Sequence, residues 1–192
     1  MFAPMSTSPH NDLWVFGYGS LMWRPGFEFA EARPALLKGW HRSFCLYSLH
    51  YRGTPAHPGL VLGLDRGGSC RGLAFRVPAA EAELVVEYLN ERELIGYAYI
   101  ARTLNIQLED GRVVAGYTFV ADRKHRHYAG DLGLEQAAAI IMDAQGCAGL
   151  NRDYLINTVR KLEADGFSDR SLHTLLVEVE RQTGLIERGA GI

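Results

Sequence analysis

The sequence predicts an α+β fold built on a mainly antiparallel sheet or open barrel. Three observations carry that prediction. Strand-like segments fill the first two thirds of the chain, and helical segments fill the last third. One helix interrupts the strand region. A turn signal, Asp110-Gly111, joins two consecutive strand-like runs.

The elements follow in order. Met1 to Asp12 mixes Pro, Ser, His and Asn without an apolar signal core, and reads as the flexible N-terminal tail of a cytoplasmic protein. Leu13 to Phe16 is apolar and uncharged, as a buried strand requires. Pro34 to Tyr51 reads as strands, with Leu36, Leu37, Trp40, Phe44, Leu46, Tyr47 and Leu49 in partial alternation. Residues 52–59 hold two prolines and two glycines and read as a loop. Leu60 to Leu64 and Cys70 to Val77 read as strands separated by a turn at Gly67-Gly68. Pro78 is expected to open a helix running to about Glu93, because its missing N–H costs nothing in a first turn.

Tyr99 to Leu108 and Val113 to Val120 form the hairpin around Asp110-Gly111. Leu134 to Ala144 is an Ala-rich helix. A further helix, Asn151 to Ala164, is expected to be capped by Asn151. The last helix starts at Asp169 or Ser171 and runs to about Thr183, with Gly184 as its stop. No internal repeat, low-complexity segment or linker interrupts the chain, so residues 13–187 read as one domain.

Composition limits the function classes. The chain has 192 residues, enough for a domain with a sizeable core. A net charge of -2 gives no general attraction to nucleic acid or to anionic membranes. No apolar run approaches the roughly 20 residues that span a bilayer. Cys45, Cys70 and Cys147 are far apart and odd in number, so they form neither a disulfide framework nor a paired metal-ligand set. Each reads as a small core residue. His125 and His127 lie in a basic loop without further ligands, and no metal is assigned.

Two features carry chemistry. In Val15-Phe16-Gly17-Tyr18-Gly19-Ser20-Leu21 a buried strand turns abruptly into a loop with two glycines and a serine. Glycine permits positive φ and close approach of backbone to ligand, and a row of loop N–H groups can cradle an anion or a developing oxyanion. The ordinary alternative is a core strand followed by a plain turn. The second feature is Glu93. The helix after Pro78 has an apolar stripe of Leu84, Val85, Tyr88 and Leu89. Glu83, Glu87 and Glu91 fall largely opposite it. Glu93 lies four residues after Leu89 and is rotated toward the buried side. A desolvated glutamate has a raised pKa, which suits a general base near neutral pH. A buried glutamate that simply pairs with Arg92 is the competing reading.

These segments resemble the ChaC-like branch of the γ-glutamylcyclotransferases. The resemblance rests on Trp14-Val15-Phe16-Gly17-Tyr18-Gly19-Ser20-Leu21-Met22-Trp23, and on Tyr88-Leu89-Asn90-Glu91-Arg92-Glu93 followed by Gly96-Tyr97. It continues in Gly53-Thr54-Pro55, Pro58-Gly59, Cys70 to Val77 and Gly149 to Leu155. Two departures adjoin Glu93: Glu91 stands where an aromatic or aliphatic residue is common, and Leu94-Ile95 replaces what is frequently a shorter or Gly-rich pair.

The resemblance implies a γ-glutamylcyclotransferase-like fold, a mainly antiparallel, partly closed β-barrel with flanking helices. It implies cleavage of glutathione to 5-oxoproline and cysteinylglycine without metal or organic cofactor. Glu93 aligns with the family's catalytic glutamate. Val15, Phe16, Gly17, Tyr18, Gly19, Ser20 and Leu21 align with its substrate-binding segment. Tyr154 matches a tyrosine that contacts substrate or packs a helix on the sheet. Two alternatives stay open: another γ-glutamyl substrate, or a non-catalytic binding or regulatory protein linked to cation transport. The oligomeric state is left open.

Overall fold

A computed structural model describes residues 12–94 and 98–184. The expected tail up to Asn11, the Gly96-Tyr97 step and the end of the chain from residue 185 lie outside the described residues. The chain divides into two compact units: residues up to Trp40 with Arg66–Val120, and His41–Asp65 with residues from Ala121 onward.

The strands are β1 (Leu13–Gly17), β2 (Glu31–Ser48), β3 (Gly59–Val77), β4 (Tyr99–Leu108) and β5 (Val113–Ala121). They form a closed barrel in the order β1-β3-β2-β4-β5. β1 pairs antiparallel with β3, Leu13 opposite Val77 through Gly17 opposite Leu73. Its other edge pairs parallel with β5, Trp14 opposite Gly116, and this contact closes the barrel. β1 is apolar throughout because both its edges are paired and Trp14 to Phe16 are buried. Thr118 adds a buried hydroxyl bond to the Phe16 carbonyl at 2.9 Å. At Gly72 a Cβ would run into the Gly17 carbonyl oxygen and the Phe16 ring, so β3 approaches the end of β1 only with glycine there.

The first unit's core joins Val15, Phe75, Val77 and Phe119 of the strands to Leu21 and to Val85 and Leu89 of α1 (Ala82–Leu94). Burying two such aliphatic side chains supplies roughly 1.5–3 kcal/mol each. Leu84, expected in the apolar stripe, is 68% exposed. The stripe is therefore narrower than the sequence suggests, running from Val85 to Leu89 and one turn on to Glu93. Pro78 also does not open the helix. Residues 78–81 form a turn, with the Glu81 N–H bonded to the Pro78 carbonyl at 2.9 Å. Asp12 holds that turn, accepting from the Ala79 N–H at 3.0 Å and from Arg76.

Gly67-Gly68 does not reverse the chain. β3 continues through the pair as one strand, with φ of 103° and 64°. Adjacent left-handed glycines are compatible with a bulge inside a strand as well as with a reversal.

The second unit packs α2 (Leu134–Asp143), α3 (Asn151–Ala164) and α4 (Arg170–Thr183) on one another. A short hairpin, β6 (Gln145–Gly146) with β7 (Gly149–Leu150), precedes α3. Asp169 caps α4, accepting from the Leu172 N–H at 3.2 Å, and Gly184 ends it at φ 72°. Asn151 does not cap α3. It is fully buried, and its side-chain amide pairs with the backbone of Leu60, accepting at 2.7 Å and donating at 2.8 Å. This satisfies two strand groups that would otherwise be buried unpaired. Cys45 and Cys70 are buried as expected, whereas Cys147 is exposed at the hairpin tip.

Candidate active site

The site is built where β1 ends. Gly17, Tyr18, Gly19 and Leu21 are buried, Ser20 is half-buried, and Ser20–Met22 forms a single 3-10 turn. Neither Gly17 nor Gly19 adopts the positive φ that the sequence suggested; Gly19 sits at φ −140°. Gly17 is small for packing instead, since a Cβ there would press on Leu21 and the Phe75 ring at 3.2 Å. The N–H groups of Met22, Trp23 and Arg24 are used within the turn. Those of Gly19, Ser20 and Leu21 have no acceptor among the described residues. Three adjacent, partly desolvated donors suit a carboxylate or carbonyl oxygen.

α1 brings the carboxylate. Leu89 anchors the helix in the core, and the next turn carries Arg92 and Glu93. The Glu93 side chain is 19% exposed. Burial raises its pKa from the ordinary 4.5, and the Arg92 charge opposes that rise. Glu93 also lies in the last turn of α1, where the helix dipole disfavours negative charge. Arg92 Nε stands 3.2 Å from Glu93 Oε1 as an ion pair. Glu93 accepts no hydrogen bond from the described residues, so its lone pairs are open to an incoming proton donor.

Arg92 reaches further than its neighbour. Its guanidinium donates to Ser20 Oγ at 3.1 Å, to the carbonyls of Arg24 and Pro25 at 2.7 and 3.2 Å, and to the Tyr88 hydroxyl at 3.1 Å. One planar ion thus touches both the proposed base and the loop after β1. The sequence prefigured the Arg92–Glu93 pair but not the loop contacts, which span up to 72 positions. Asn90 and Tyr117 were also missed. The Tyr117 hydroxyl donates to Asn90 Oδ1 at 2.6 Å, and Asn90 stands one turn before Glu93. Their signal was the i, i+3 spacing of Asn90 and Glu93.

The structure thus joins Glu93 to the Gly17–Leu21 segment through Arg92. Tyr154 belongs to the second unit, on α3. There it packs edge-on against Phe44 at 5.6 Å, and the Arg52 guanidinium lies 5.2 Å from its ring centre. Arg52 also donates to the Leu150 carbonyl at 3.2 Å. Among the described residues no group of His, Cys, Asp and Glu is arranged to hold a metal ion.

The profile of the family described as ChaC-like protein matches residues 13–182. The chain belongs to the ChaC-like family. Among its ChaC-like relatives is the glutathione-specific γ-glutamylcyclotransferase of Escherichia coli K12, 39% identical over 169 residues, or 88% of this chain and 73% of the relative. A Schizosaccharomyces pombe protein of the same name is 33% identical, covering 90% and 94%. The crystal structure of the yeast γ-glutamyl cyclotransferase specific to glutathione superposes with a TM-score of 0.79 at 23% identity, covering 89% and 96%. The ChaC-like fold is therefore that of the γ-glutamyl cyclotransferases, and its barrel is closed by the parallel β1–β5 pair.

Proposed function

We propose that the protein cleaves glutathione by internal aminolysis, releasing 5-oxoproline and cysteinylglycine, with Glu93 as general base. The names of its relatives support the substrate. One observation supports the base: a desolvated carboxylate without hydrogen bonds stands beside the guanidinium that grips the loop after β1.

Glutathione's α-ammonium group must lose a proton before its nitrogen can attack. Glu93 takes that proton. The freed nitrogen attacks the γ-carbonyl carbon, and the new C–N bond closes a five-membered lactam. The amide bond to the cysteine nitrogen then breaks. Two protons in all pass from the attacking to the leaving nitrogen, and Glu93 ends as it began, deprotonated. The N–H groups of Gly19, Ser20 and Leu21 hold the γ-glutamyl end and stabilise negative charge on its oxygen. Folding amine onto carbonyl supplies much of the remaining barrier reduction.

The same reading assigns the reaction to the cytoplasm, where reduced thiols persist. Its support is that Cys45, Cys70 and Cys147 are thiols rather than disulfides among the described residues. The match over residues 13–182 is in keeping with one functional domain over most of the expected 13–187.

The test is purified protein with reduced glutathione, following both products. Equal amounts of 5-oxoproline and cysteinylglycine are expected. Turnover of a γ-glutamyl dipeptide but not of glutathione would keep the chemistry and replace the substrate. Absence of product from either would overturn the proposal.

A further inference from the structure

We propose that Arg92 is a positioning residue for this reaction, holding the Glu93 carboxylate and the Ser20–Pro25 loop in one fixed geometry. The inference rests on the reading of Glu93 as the base.

The geometry carries it. Arg92 presents Nε to Glu93 Oε1 and its two terminal nitrogens to the loop. Nη1 serves the Arg24 and Pro25 carbonyls and the Tyr88 hydroxyl, and Nη2 serves Ser20 Oγ. A guanidinium is planar and rigid, so displacing one edge displaces the other. The ammonium of lysine is a point charge without this fork. The side chain is 24% exposed, and its bonds to Pro25, Tyr88 and Ser20 are partly buried.

The position of the pair in sequence sharpens the point. Adjacent residues on a helix do not face each other, so Arg92 and Glu93 meet only because the loop holds the guanidinium across the end of α1. A purely structural arginine would gain more from direct hydrogen bonds to the carboxylate. Here the carboxylate accepts none and stays available, while the arginine spends its donors on the loop. Attack geometry is sensitive at this scale, and a misplacement of about 1 Å costs on the order of a hundredfold in rate.

The experiment compares wild type, Arg92→Lys and Arg92→Ala in steady-state glutathione turnover, with and without added guanidinium ion. Thermal unfolding confirms that each variant is folded, and Glu93→Gln runs in parallel. For Arg92→Ala the expected result is a kcat lowered roughly tenfold to a hundredfold, a raised KM, and partial recovery of kcat on adding guanidinium. Arg92→Lys is expected to lose less and to show no recovery. A folded Arg92→Ala with kcat and KM within about twofold of wild type overturns the proposal. So does a slow Arg92→Ala that guanidinium leaves unchanged. If Arg92→Ala fails to fold, Arg92→Lys decides: wild-type kcat and KM in that variant overturn it. Wild-type turnover by Glu93→Gln would instead refute the base assignment, whatever Arg92 does.

Discussion

Two carboxylates in this protein stand beside arginines on helices, and they have opposite characters. Glu93 ends α1 in the first unit; Glu178 lies in the second half of α4 in the second. Their side chains are similarly shielded, at 19% and 11% exposure. Glu178 accepts from Arg181 Nε and Nη2 at 2.9 and 2.6 Å and from Gln182 Nε2 at 2.7 Å. Those bonds carry its pKa down to about 2. Glu93 has one ion pair and no such bond, and burial pushes its pKa up. An arginine neighbour therefore does not by itself make a carboxylate inert. Depth of burial, which raises the Glu93 pKa, and the hydrogen bonds the arginine donates, which lower that of Glu178, together decide whether the group stays ionised as a strut or remains ready to take a proton.

The hardest test of this contrast is to remove both charges separately. Glu93→Gln keeps the shape and removes the proton acceptor. Turnover of glutathione should fall by roughly 10²–10⁴, the usual contribution of general base catalysis. Glu178→Gln should leave kcat and KM unchanged. Equal losses in the two variants, or none in Glu93→Gln, would erase the functional distinction between them.

A pH profile sharpens it further. In its proposed role as base Glu93 acts deprotonated, and its pKa lies above the ordinary 4.5. The acid limb of kcat/KM for wild type should therefore fall at a pH above 4.5. A limb at or below that value would mean that Arg92, rather than burial, sets the proton affinity of the base.

The third effect is on stability and has the opposite sign to the first. A raised carboxyl pKa means the folded state binds the proton more tightly than the unfolded state. Its stabilising influence is full below about the unfolded value and is lost as pH rises through the folded one. At neutral pH the wild-type charge is a burden. Glu93→Gln, inactive, should melt higher than wild type at pH 7 and no higher near pH 4. Each kcal/mol gained moves the midpoint by about 2–4 °C for a chain of this size. Arg92 keeps its four contacts to the loop and Tyr88 in that variant, so the loss of its ionic partner does not reverse the sign. A lower midpoint at pH 7 would show that the ion pair outweighs desolvation.

What the sequence made legible follows from the range of each signal. The β1 strand, the Asp110-Gly111 hairpin and the Asp169-to-Gly184 helix are specified by residues within a turn of each other, and each lies where local chemistry put it. Glu93 was legible because the Leu89-to-Glu93 spacing is local too. Gly67-Gly68 misled, since a positive-φ pair is compatible both with a reversal and with continuation of a strand, and β3 continues through it. Asn151 misled in the same way. An asparagine before a helical run has the composition of a cap, but its partner is the Leu60 backbone, 91 positions away. The grip of Arg92 on the loop goes with the packing of Val85 and Leu89 of α1 against Val15 and Leu21, and no local pattern encodes it.

The smallest effect belongs to Glu178, and it completes the contrast. Its depressed pKa means that the unfolded state binds the proton more readily. The stabilising contribution is thus present above the unfolded value near 4.5 and is lost as pH falls toward about 2. Glu178→Gln removes that contribution at every pH. The variant should melt slightly below wild type at pH 7, and the two curves should converge as the pH approaches 2. Arg181 is 62% exposed, so solvent screens the pair and added salt should narrow the gap at pH 7 as well. Thermal midpoints across pH 2.5–7.5, at low and high salt, check this. A gap that holds constant with pH would assign the role of Glu178 to packing rather than to charge, and the two carboxylates would then differ in more than their hydrogen bonds.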